Sequence, residues 1–129
     1  MLRRKFSQWQ GLRPSDLDIS SADQFFLQKL LDIVETNIEE NSFSVVRLAK
    51  EIGMSRSQLH RKLKAISGQS ALEFIQSVRL QRAADLISKN GGNIAEIAYQ
   101  VGFSDPSYFT RVFKKQFGKT PSEYTDNPV

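Results

Sequence analysis

Apolar residues recur at helical spacing along most of the chain, and capping residues and glycines mark where each helix begins and ends. Between Asp23 and Glu39, one apolar stripe with three- and four-residue spacing predicts an amphipathic first helix. The stripe consists of Phe26, Leu27, Leu30, Leu31, Val34 and Ile38. No strand-like alternation of polar and apolar residues competes with it, so the pattern predicts an all-α fold.

Start and stop signals predict six further helices, which makes seven in all. In chain order they run from Val45 to Ile52 behind the cap Ser44, from Ser55 to Gly68, from Ser70 to about Ser88, from Asn93 to just before Gly102, from Asp105-Pro106 to Gly118, and from Thr120. The pairs Ser55 and Gln58, Ser70 and Glu73, and Asn93 and Glu96 have the spacing of capping boxes. Because these starts agree with the glycine stops, the number of helices is better determined than any single boundary.

One pattern of residues occurs twice, at an offset of 49 positions that becomes 50 beyond the turn. The first copy contains Leu48-Ala49, Gly53, Ser55, Leu59, Arg61, Leu63-Lys64 and Gly68, and the second contains Ile97-Ala98, Gly102, Ser104, Phe109, Arg111, Phe113-Lys114 and Gly118. Each copy predicts a short helix, a glycine turn and a second, basic helix, which is the layout of a helix-turn-helix unit. Two such units predict two contacts with a DNA major groove.

Basic and acidic residues are concentrated in different segments. The 129 residues include 18 Lys and Arg against 14 Asp and Glu, a formal net charge of +4 that favours anionic partners. Residues 54–72 contain four bases and no acid, whereas residues 23–40 contain five acids and the single base Lys29. One face of the protein is therefore expected to meet a polyanion.

The basic residues of helices three and six lie opposite the predicted core positions. Leu59, Leu63 and Ile66 face the core on helix three, and Phe109, Phe113 and Phe117 or Val112 do so on helix six. The outward faces carry Arg56, Ser57, His60, Arg61 and Lys64 on helix three, and Ser107, Tyr108, Thr110, Arg111, Lys114 and Lys115 on helix six. Any surface helix carries charge, but arginine mixed with short polar donors is typical of DNA contacts.

Position within each helix predicts the role of a side chain. Arg61 and Arg111 are repeat partners, and each can donate two hydrogen bonds to guanine O6 and N7. Ser57, His60, Ser107 and Tyr108 are the next candidates for base contacts, and Lys64, Lys114 and Lys115 are candidates for phosphate contacts. Ser55 and Ser104 are expected to cap helices or form turns, although a helix N-terminus also attracts phosphate. For His60, plain exposure to solvent is an open alternative.

Helix four has the length needed to join two DNA-reading units. It covers about 19 residues, or roughly 28 Å at ~1.5 Å per residue, and major grooves on one side of B-DNA lie about 34 Å apart. Its apolar residues are spread around the helix, as burial between two subdomains requires. They are Leu72, Phe74, Ile75, Val78, Leu80, Ala83, Leu86 and Ile87. Arg79 and Arg82 are expected to stabilise this packing through ion pairs.

Composition excludes several classes of chemistry. The chain has no cysteine and one histidine, His60, so thiolate chemistry is absent and neither a metal site nor a cofactor is expected. No nucleophile pattern accompanies His60, and an enzyme that repairs DNA by alkyl transfer would need a cysteine, so the protein is not expected to be an enzyme. Because no apolar run is long enough for a membrane span, a cytoplasmic protein with no membrane partner is expected.

The first 22 residues lack sustained periodicity and are interpreted as a linker or arm. Four apolar residues within it could dock on a partner domain, although Trp9 is expected to be a packing residue. These residues are Phe6, Trp9, Leu12 and Leu17. A linker at this position suggests the hypothesis that the chain is part of a longer protein.

From about Phe26 to Tyr124 the chain resembles the DNA-binding domain of AraC/XylS-type transcription regulators. The most specific stretch is IAEIAYQVGFSDPSYFTRVFKKQFGKTPSEY, from Ile94 to Tyr124. Arg79-Leu80, followed by Ala83, Leu86 and Ile87, resembles the linker helix of that family. One position departs from the family pattern, which often has arginine after the last aromatic residue, where this chain has Thr125. This departure affects a C-terminal packing or backbone contact and not the fold.

The resemblance implies a domain over residues 23–127 with two helix-turn-helix units, at about 44–68 and 93–118, joined by a linker helix at about 70–88. Helices three and six would enter successive major grooves. Base contacts would come from Ser57, His60 and Arg61 in the first unit and from Pro106, Ser107, Tyr108 and Arg111 in the second. Candidate contacts to the DNA backbone are Ser55, Arg56, Lys64, Ser104, Thr110, Lys114 and Lys115.

The expected function is sequence-specific binding of double-stranded DNA to regulate transcription. The segments Ser55–Leu59 and Gly68–Ser70, behind a basic arm, look like the output domains of two-component regulators, including hybrid sensor kinases. Further partners implied by the resemblance are an upstream receiver or sensor portion of the same protein, a second copy of the chain on DNA, and RNA polymerase. The alternative left open is a protein-interaction module whose basic helices bind an acidic partner or the receiver.

Overall fold

Seven helices form the described part of the protein, residues 20–89 and 92–126 of the computed structural model. They are α1 Ser21–Thr36, α2 Val45–Ile52, α3 Arg56–Ser67, α4 Ala71–Ser88, α5 Ile94–Gln100, α6 Pro106–Phe117 and α7 Pro121–Asp126. These residues contain no strand, so the predicted all-α fold with seven helices is confirmed. Apart from its last three residues, the predicted arm of residues 1–22, with Phe6, Trp9, Leu12 and Leu17, lies outside the described residues.

The first helix, predicted to run roughly from Asp23 to Glu39, begins two residues earlier and ends three residues earlier than expected. The Ser20 hydroxyl accepts a hydrogen bond from the Asp23 amide at 3.2 Å, so Ser20 is the N-cap and Asp23 lies in the first turn. At the other end, the Asn37 side chain donates to the Ile33 carbonyl oxygen at 2.8 Å and accepts from Arg47 at 2.9 Å. This side-chain amide adds a second hydrogen bond to a carbonyl that also accepts from the Asn37 backbone amide, at the end of a helix whose last residue is Thr36.

The predicted caps of the later helices are largely confirmed. Reciprocal hydrogen bonds between cap and third residue are present at the starts of α3, α4 and α5, and Thr120 and Glu123 form a fourth pair at α7. Ser44 occupies the cap position of α2, but its side chain makes no capping hydrogen bond. Gly53, Gly68, Gly102 and Gly118 all have positive φ angles and occupy the predicted turns and helix ends.

Helix α4 is the centre of the fold, because it packs against each of the other six helices. Its buried residues face several directions, as the spread of apolar positions predicted. Phe74, Val78 and Ala83 are at most 2% exposed and belong to the single hydrophobic core. Leu72 is an exception to the prediction, since it is 60% exposed near the start of the helix.

Arg79 does not form the ion pair predicted for it. Its side chain is 9% exposed and donates from Nη2 to the backbone carbonyl oxygen of Glu40 at 2.8 Å. Burial in this position lowers the pKa of the Arg79 guanidinium. Its predicted structural role is correct, but the partner is a carbonyl group and not a carboxylate. Arg82, one turn further along, is exposed.

The residue inserted into the second repeat lies in the turn before α6. Helices α3 and α6 both have 12 residues and both end at a glycine. The N-cap of α3 is Ser55, whereas the N-cap of α6 is Asp105, whose carboxylate accepts from the Ser107 amide at 2.9 Å. Ser104 is therefore the extra residue, and the counterpart of Ser55 is Asp105.

None of the helices in residues 20–89 and 92–126 is both long enough and apolar enough to cross a membrane.

Candidate nucleic-acid interface

The outer faces of α3 and α6 carry nearly all of the side chains that the sequence proposed for DNA contacts. Leu59 and Leu63 anchor α3 in the core, and Phe109 and Phe113 anchor α6, each with 0% exposure. This anchoring leaves the opposite faces in solvent. The exposed candidates are Ser55, Arg56, Ser57, His60, Arg61, Lys64, Ser104, Ser107, Tyr108, Arg111, Lys114 and Lys115. Pro106 and Thr110 are only half-exposed, the latter against expectation for a solvent-facing residue.

Both basic faces open onto one continuous groove. A cleft of about 560 Å³ is bordered by Arg56 of α3 and by Tyr108 and Arg111 of α6. A second depression, of about 750 Å³, shares Arg56 with this cleft and lies along α3. Leu72 of α4 lines both depressions, and His60 and Arg61 line the second one. The candidate base-reading residues of the two units are thus brought to one side of the molecule.

The aromatic ring of Tyr108 connects α6 to the central helix. The hydroxyl of Tyr108 accepts a hydrogen bond of 2.7 Å from Nε2 of Gln76 on α4. The Arg111 guanidinium lies over the Tyr108 ring, 5.3 Å from its centroid, in a cation–π contact. Phe103 packs against the same ring at a centroid distance of 6.3 Å. The side chain of Arg111 is therefore supported by a residue that is itself fixed to α4.

Positive charge from both basic helices converges near the start of α4. The pKa of Glu73 is lowered, chiefly by the hydrogen bond from the Ser70 amide and also by the charges of Lys64 and Lys115. Gly68 at the end of α3, Glu73 of α4 and Lys115 of α6 line one depression, so the ends of α3 and α6 lie near the start of α4. Lys114 similarly contributes to the lowered pKa of Glu123, whose main cause is the hydrogen bond from the Thr120 amide.

Sequence reasoning missed the residues that line the floor of this groove. The apolar pattern places Leu72 in the core and assigns no role to Gln76. Periodicity alone cannot tell which side of a central helix is left uncovered. The signal available was their position, in the first and second turns of a helix that begins beside α3. No group of three or more His, Asp or Glu side chains that could hold a metal ion occurs in the described ranges.

Comparison with known proteins identifies the family. A family profile described as "Helix-turn-helix domain" matches residues 48–127. A crystal structure of an AraC-type DNA-binding-domain-containing regulator from Chromobacterium violaceum aligns with a TM-score of 0.74 and 29% identity, covering 85% of this chain and 100% of that one. The chain belongs to the AraC-type helix-turn-helix family. It is a DNA-binding domain of this family of transcription regulators.

Two relatives of this AraC-type domain are much longer proteins. Histidine kinase P4 of Formosa agariphila is 45% identical over 123 residues, which is 95% of this chain and 9% of the kinase. The transcriptional regulator MtrA of Neisseria gonorrhoeae is 32% identical over 98 residues, which is 76% of this chain and 31% of MtrA. The chain thus spans less than a third of either relative.

Two further solved structures resemble the AraC-type domain, each with a TM-score of 0.70 and 25% identity. One is the DNA-binding domain of AdpA in complex with a target DNA, where the match covers 78% of this chain and 89% of that one. The other is the C-terminal domain of AraT, a response regulator from Geobacillus stearothermophilus, with 78% and 84% coverage.

Proposed function

We propose that α3 and α6 read two half-sites in successive major grooves of one DNA duplex. The observation that carries this proposal is the shared groove, because Arg56 of α3 and Arg111 of α6 border one cleft across the floor formed by α4. With 18 residues, α4 is about 27 Å long at ~1.5 Å per residue, close to the ~34 Å between major grooves on one side of B-DNA.

Within each groove, one arginine is proposed to set the base preference. Arg61 and Arg111 occupy equivalent positions, the sixth residue of their 12-residue helices, and both are exposed. A guanidinium presents two donors to O6 and N7 of guanine. Ser57 and His60 beside Arg61, and Ser107 beside Arg111, are proposed to make additional base contacts. Pro106 and Tyr108 complete the proposed set in the second unit.

Phosphate contacts are proposed for the residues at the ends and flanks of the two helices. Lysines toward the C-terminal ends provide positive charge without directional base recognition. Amides at the helix N-termini offer further donors to phosphate. The proposed backbone contacts are Ser55, Arg56, Lys64, Ser104, Thr110, Lys114 and Lys115. Thr110 is the weakest member of this set, because it is half-buried.

Selection from random duplexes with the isolated chain tests the two-groove proposal. We expect a motif of two half-sites whose centres are about 10–10.5 base pairs apart. Arg61→Ala should abolish preference at one position in one half-site, and Arg111→Ala should do so in the other, each at a cost of about 1–3 kcal/mol. Lys29→Ala, which removes an exposed base on α1, is the matched control and should leave the motif unchanged.

Two results would contradict the proposal. A single compact half-site would mean that only one unit reads DNA. If both arginine variants retained full affinity and selectivity, the assignment of Arg61 and Arg111 to base contacts would be wrong. Failure to enrich any motif would instead favour the alternative, a module whose basic helices bind an acidic protein partner.

We also propose that this domain is the output part of a two-component signalling protein, with a receiver or sensor portion as its partner. The support is the 45% identity to part of a histidine kinase and the similarity to the C-terminal domain of a response regulator. An antibody against residues 20–126 should detect a protein well above 14.7 kDa in the native cells. The affinity of that longer protein for the selected DNA motif should change when the protein is phosphorylated. A band at 14.7 kDa would contradict this part of the proposal.

Two further partners stay predictions under this proposal. A second copy of the chain is expected to occupy an adjacent site on DNA, and RNA polymerase is expected to contact the bound domain. Sedimentation of the chain with duplexes that carry one or two copies of the selected motif tests the first. Transcription in vitro from a promoter that carries the motif tests the second.

A further inference from the structure

Three segments of the protein meet at the side chain of Arg79. The guanidinium comes from the middle of α4, and its Nη2 donates to the Glu40 carbonyl oxygen in the loop after α1. On its other side lies Gly102, in the turn between α5 and α6. An added Cβ at Gly102 would lie 2.8 Å from Nε and 2.9 Å from Cζ of Arg79. The loop that precedes the first unit, the connecting helix and the turn of the second unit therefore meet at one side chain.

The backbone of the loop also contacts this turn directly. A Cβ at Gly102 would lie only 2.4 Å from the carbonyl oxygen of Ile38, so the loop after α1 and the turn of the second unit are packed without space for a methyl group. The loop itself is held from the opposite side by Arg47, which donates to the Glu40 carboxylate at 3.1 Å and to Asn37 at 2.9 Å. The loop is thus in contact both with α2 of the first unit and with the turn of the second unit.

The chemistry of Arg79 is unusual for a group that serves only stability. Its side chain is 9% exposed and its Nε has no hydrogen-bond partner. Burial of a cation without a counter-ion costs free energy, and apolar side chains of similar volume often replace buried charges without loss of stability. What an apolar side chain cannot provide is the directional bond to Glu40 that fixes where the loop lies relative to α4.

We propose that Arg79 is a positioning residue that fixes the relative orientation of the two helix-turn-helix units and thereby sets the half-site spacing that the protein accepts. This inference rests on the proposed two-groove function. One added base pair moves a half-site by about 3.4 Å and rotates it by about 34°, since B-DNA repeats every ~10.5 base pairs. Two units held at one relative orientation should bind a site with altered spacing poorly, whereas two units that can move relative to each other should bind it better.

The first test measures how tightly the relative position of the two units is fixed in the absence of DNA. Since the chain has no cysteine, Lys50→Cys in α2 and Gln100→Cys in α5 place spin labels at two exposed positions, one in each unit. We expect a narrow distance distribution for the otherwise wild-type chain and a broader one for Arg79→Met. Arg82→Met is the matched control, because it removes an exposed arginine one turn away on the same helix. Arg82→Met should keep the narrow distribution.

The second test measures the consequence on DNA. Duplexes carrying the selected half-sites at the preferred spacing, one base pair shorter and one longer are compared by titration. We expect the wild-type chain and Arg82→Met to discriminate against the altered spacings by about tenfold or more. Arg79→Met should reduce that ratio severalfold while it retains the base preference within each half-site. Arg79→Lys, which keeps a donor near Glu40, should give an intermediate ratio.

The outcomes separate this inference from the proposed function. If the wild-type chain selects no bipartite motif, the two-groove function is wrong and so is the role of Arg79 in half-site spacing. The distance distributions then still decide whether Arg79 fixes the relative orientation of the two units. If the motif is bipartite and Arg79→Met retains the wild-type spacing ratio, the inference alone is overturned. If Arg79→Met fails to fold, the test uses Arg79→Lys instead. A wild-type spacing ratio together with a wild-type distance distribution in Arg79→Lys would also overturn the inference.

Discussion

Tyr108 is proposed to contact a base, and it also makes contacts that hold the fold together. Its position was proposed from sequence as a base contact, yet its hydroxyl accepts a 2.7 Å hydrogen bond from Gln76 and its ring supports Arg111. The contact with Gln76 joins residues 32 positions apart in the chain, which no local pattern could reveal. Tyr108 therefore supports the side chain of Arg111, the residue proposed to read the base.

We predict that Tyr108→Phe and Gln76→Met reduce selectivity at the base read by Arg111 to a similar extent. Each removes one partner of the same hydrogen bond, whose net value is about 0.5–1.5 kcal/mol. If the bond acts as a unit, the double variant should be no worse than either single variant. Titration of the selected duplex and of its variant at that base measures the effect. Additive losses would show that Tyr108 and Gln76 act on DNA independently.

The two turn glycines should differ in their response to substitution. Both Gly53 and Gly102 have positive φ angles, but a Cβ at Gly53 would meet no atom within 4 Å. Gly53→Ala is expected to cost about 1–2 kcal/mol from backbone strain alone. Gly102→Ala should cost more, because its Cβ would also collide with the Ile38 carbonyl and with Arg79. Urea unfolding of both variants checks this order, and equal losses would contradict it.

At the scale of the element, capping interactions explain why the helices were predictable. The starts of α3, α4 and α5 depend on residues three positions apart in sequence, and each predicted pair forms its two hydrogen bonds. The C-terminal end of the first helix was not predicted, and the Asn37 side chain at that end accepts a hydrogen bond from Arg47, ten residues further along. The start of the same helix was also misplaced although its Ser20 cap is local, so helix starts were predicted best where both residues of a capping box form their hydrogen bonds.

The cap of α4 should make stability depend on pH. Since the hydrogen bond from the Ser70 amide lowers the pKa of Glu73 in the folded protein, the contribution of Glu73 is complete above the ordinary value of 4.5. It is lost as the pH falls from there through the lower folded value, because protonation removes the charged acceptor. We predict that Glu73→Gln keeps the capping box and loses less stability than wild type between neutral and strongly acidic pH.

Urea unfolding of wild type and Glu73→Gln over that range measures the difference. Glu73→Ala is the control that separates titration from the bond itself, since it removes both the charge and the cap and should be less stable than wild type at neutral pH by about 0.5–1.5 kcal/mol. Parallel pH profiles for wild type and Glu73→Gln would contradict the prediction.

At the scale of the whole molecule, the repeat was visible in sequence and the way its copies are joined was not. Spacing predicted two similar units and placed one extra residue near the second turn, and the structure assigns that residue to Ser104. The sequence also predicted that α4 is buried between the units. It did not show that Leu72 and Gln76 would be left uncovered in the groove, or that Arg79 would bond to the Glu40 carbonyl. Those facts depend on how the two units meet, which only tertiary contacts determine.

The charge of the reading face predicts how the whole domain should respond to salt. If about six phosphates are contacted, log K should fall against log salt with a slope near −5, since each neutralised phosphate contributes about −0.9. Lys114→Ala should weaken binding to all duplexes alike and make the slope shallower by about one, because Lys114 is exposed on the flank of α6. Arg111→Ala should instead weaken the selected duplex more than a scrambled one. Titrations with both duplexes at several salt concentrations distinguish these two responses. A Lys114 variant that lost selectivity without a change in the salt slope would contradict the roles assigned to Lys114 and Arg111.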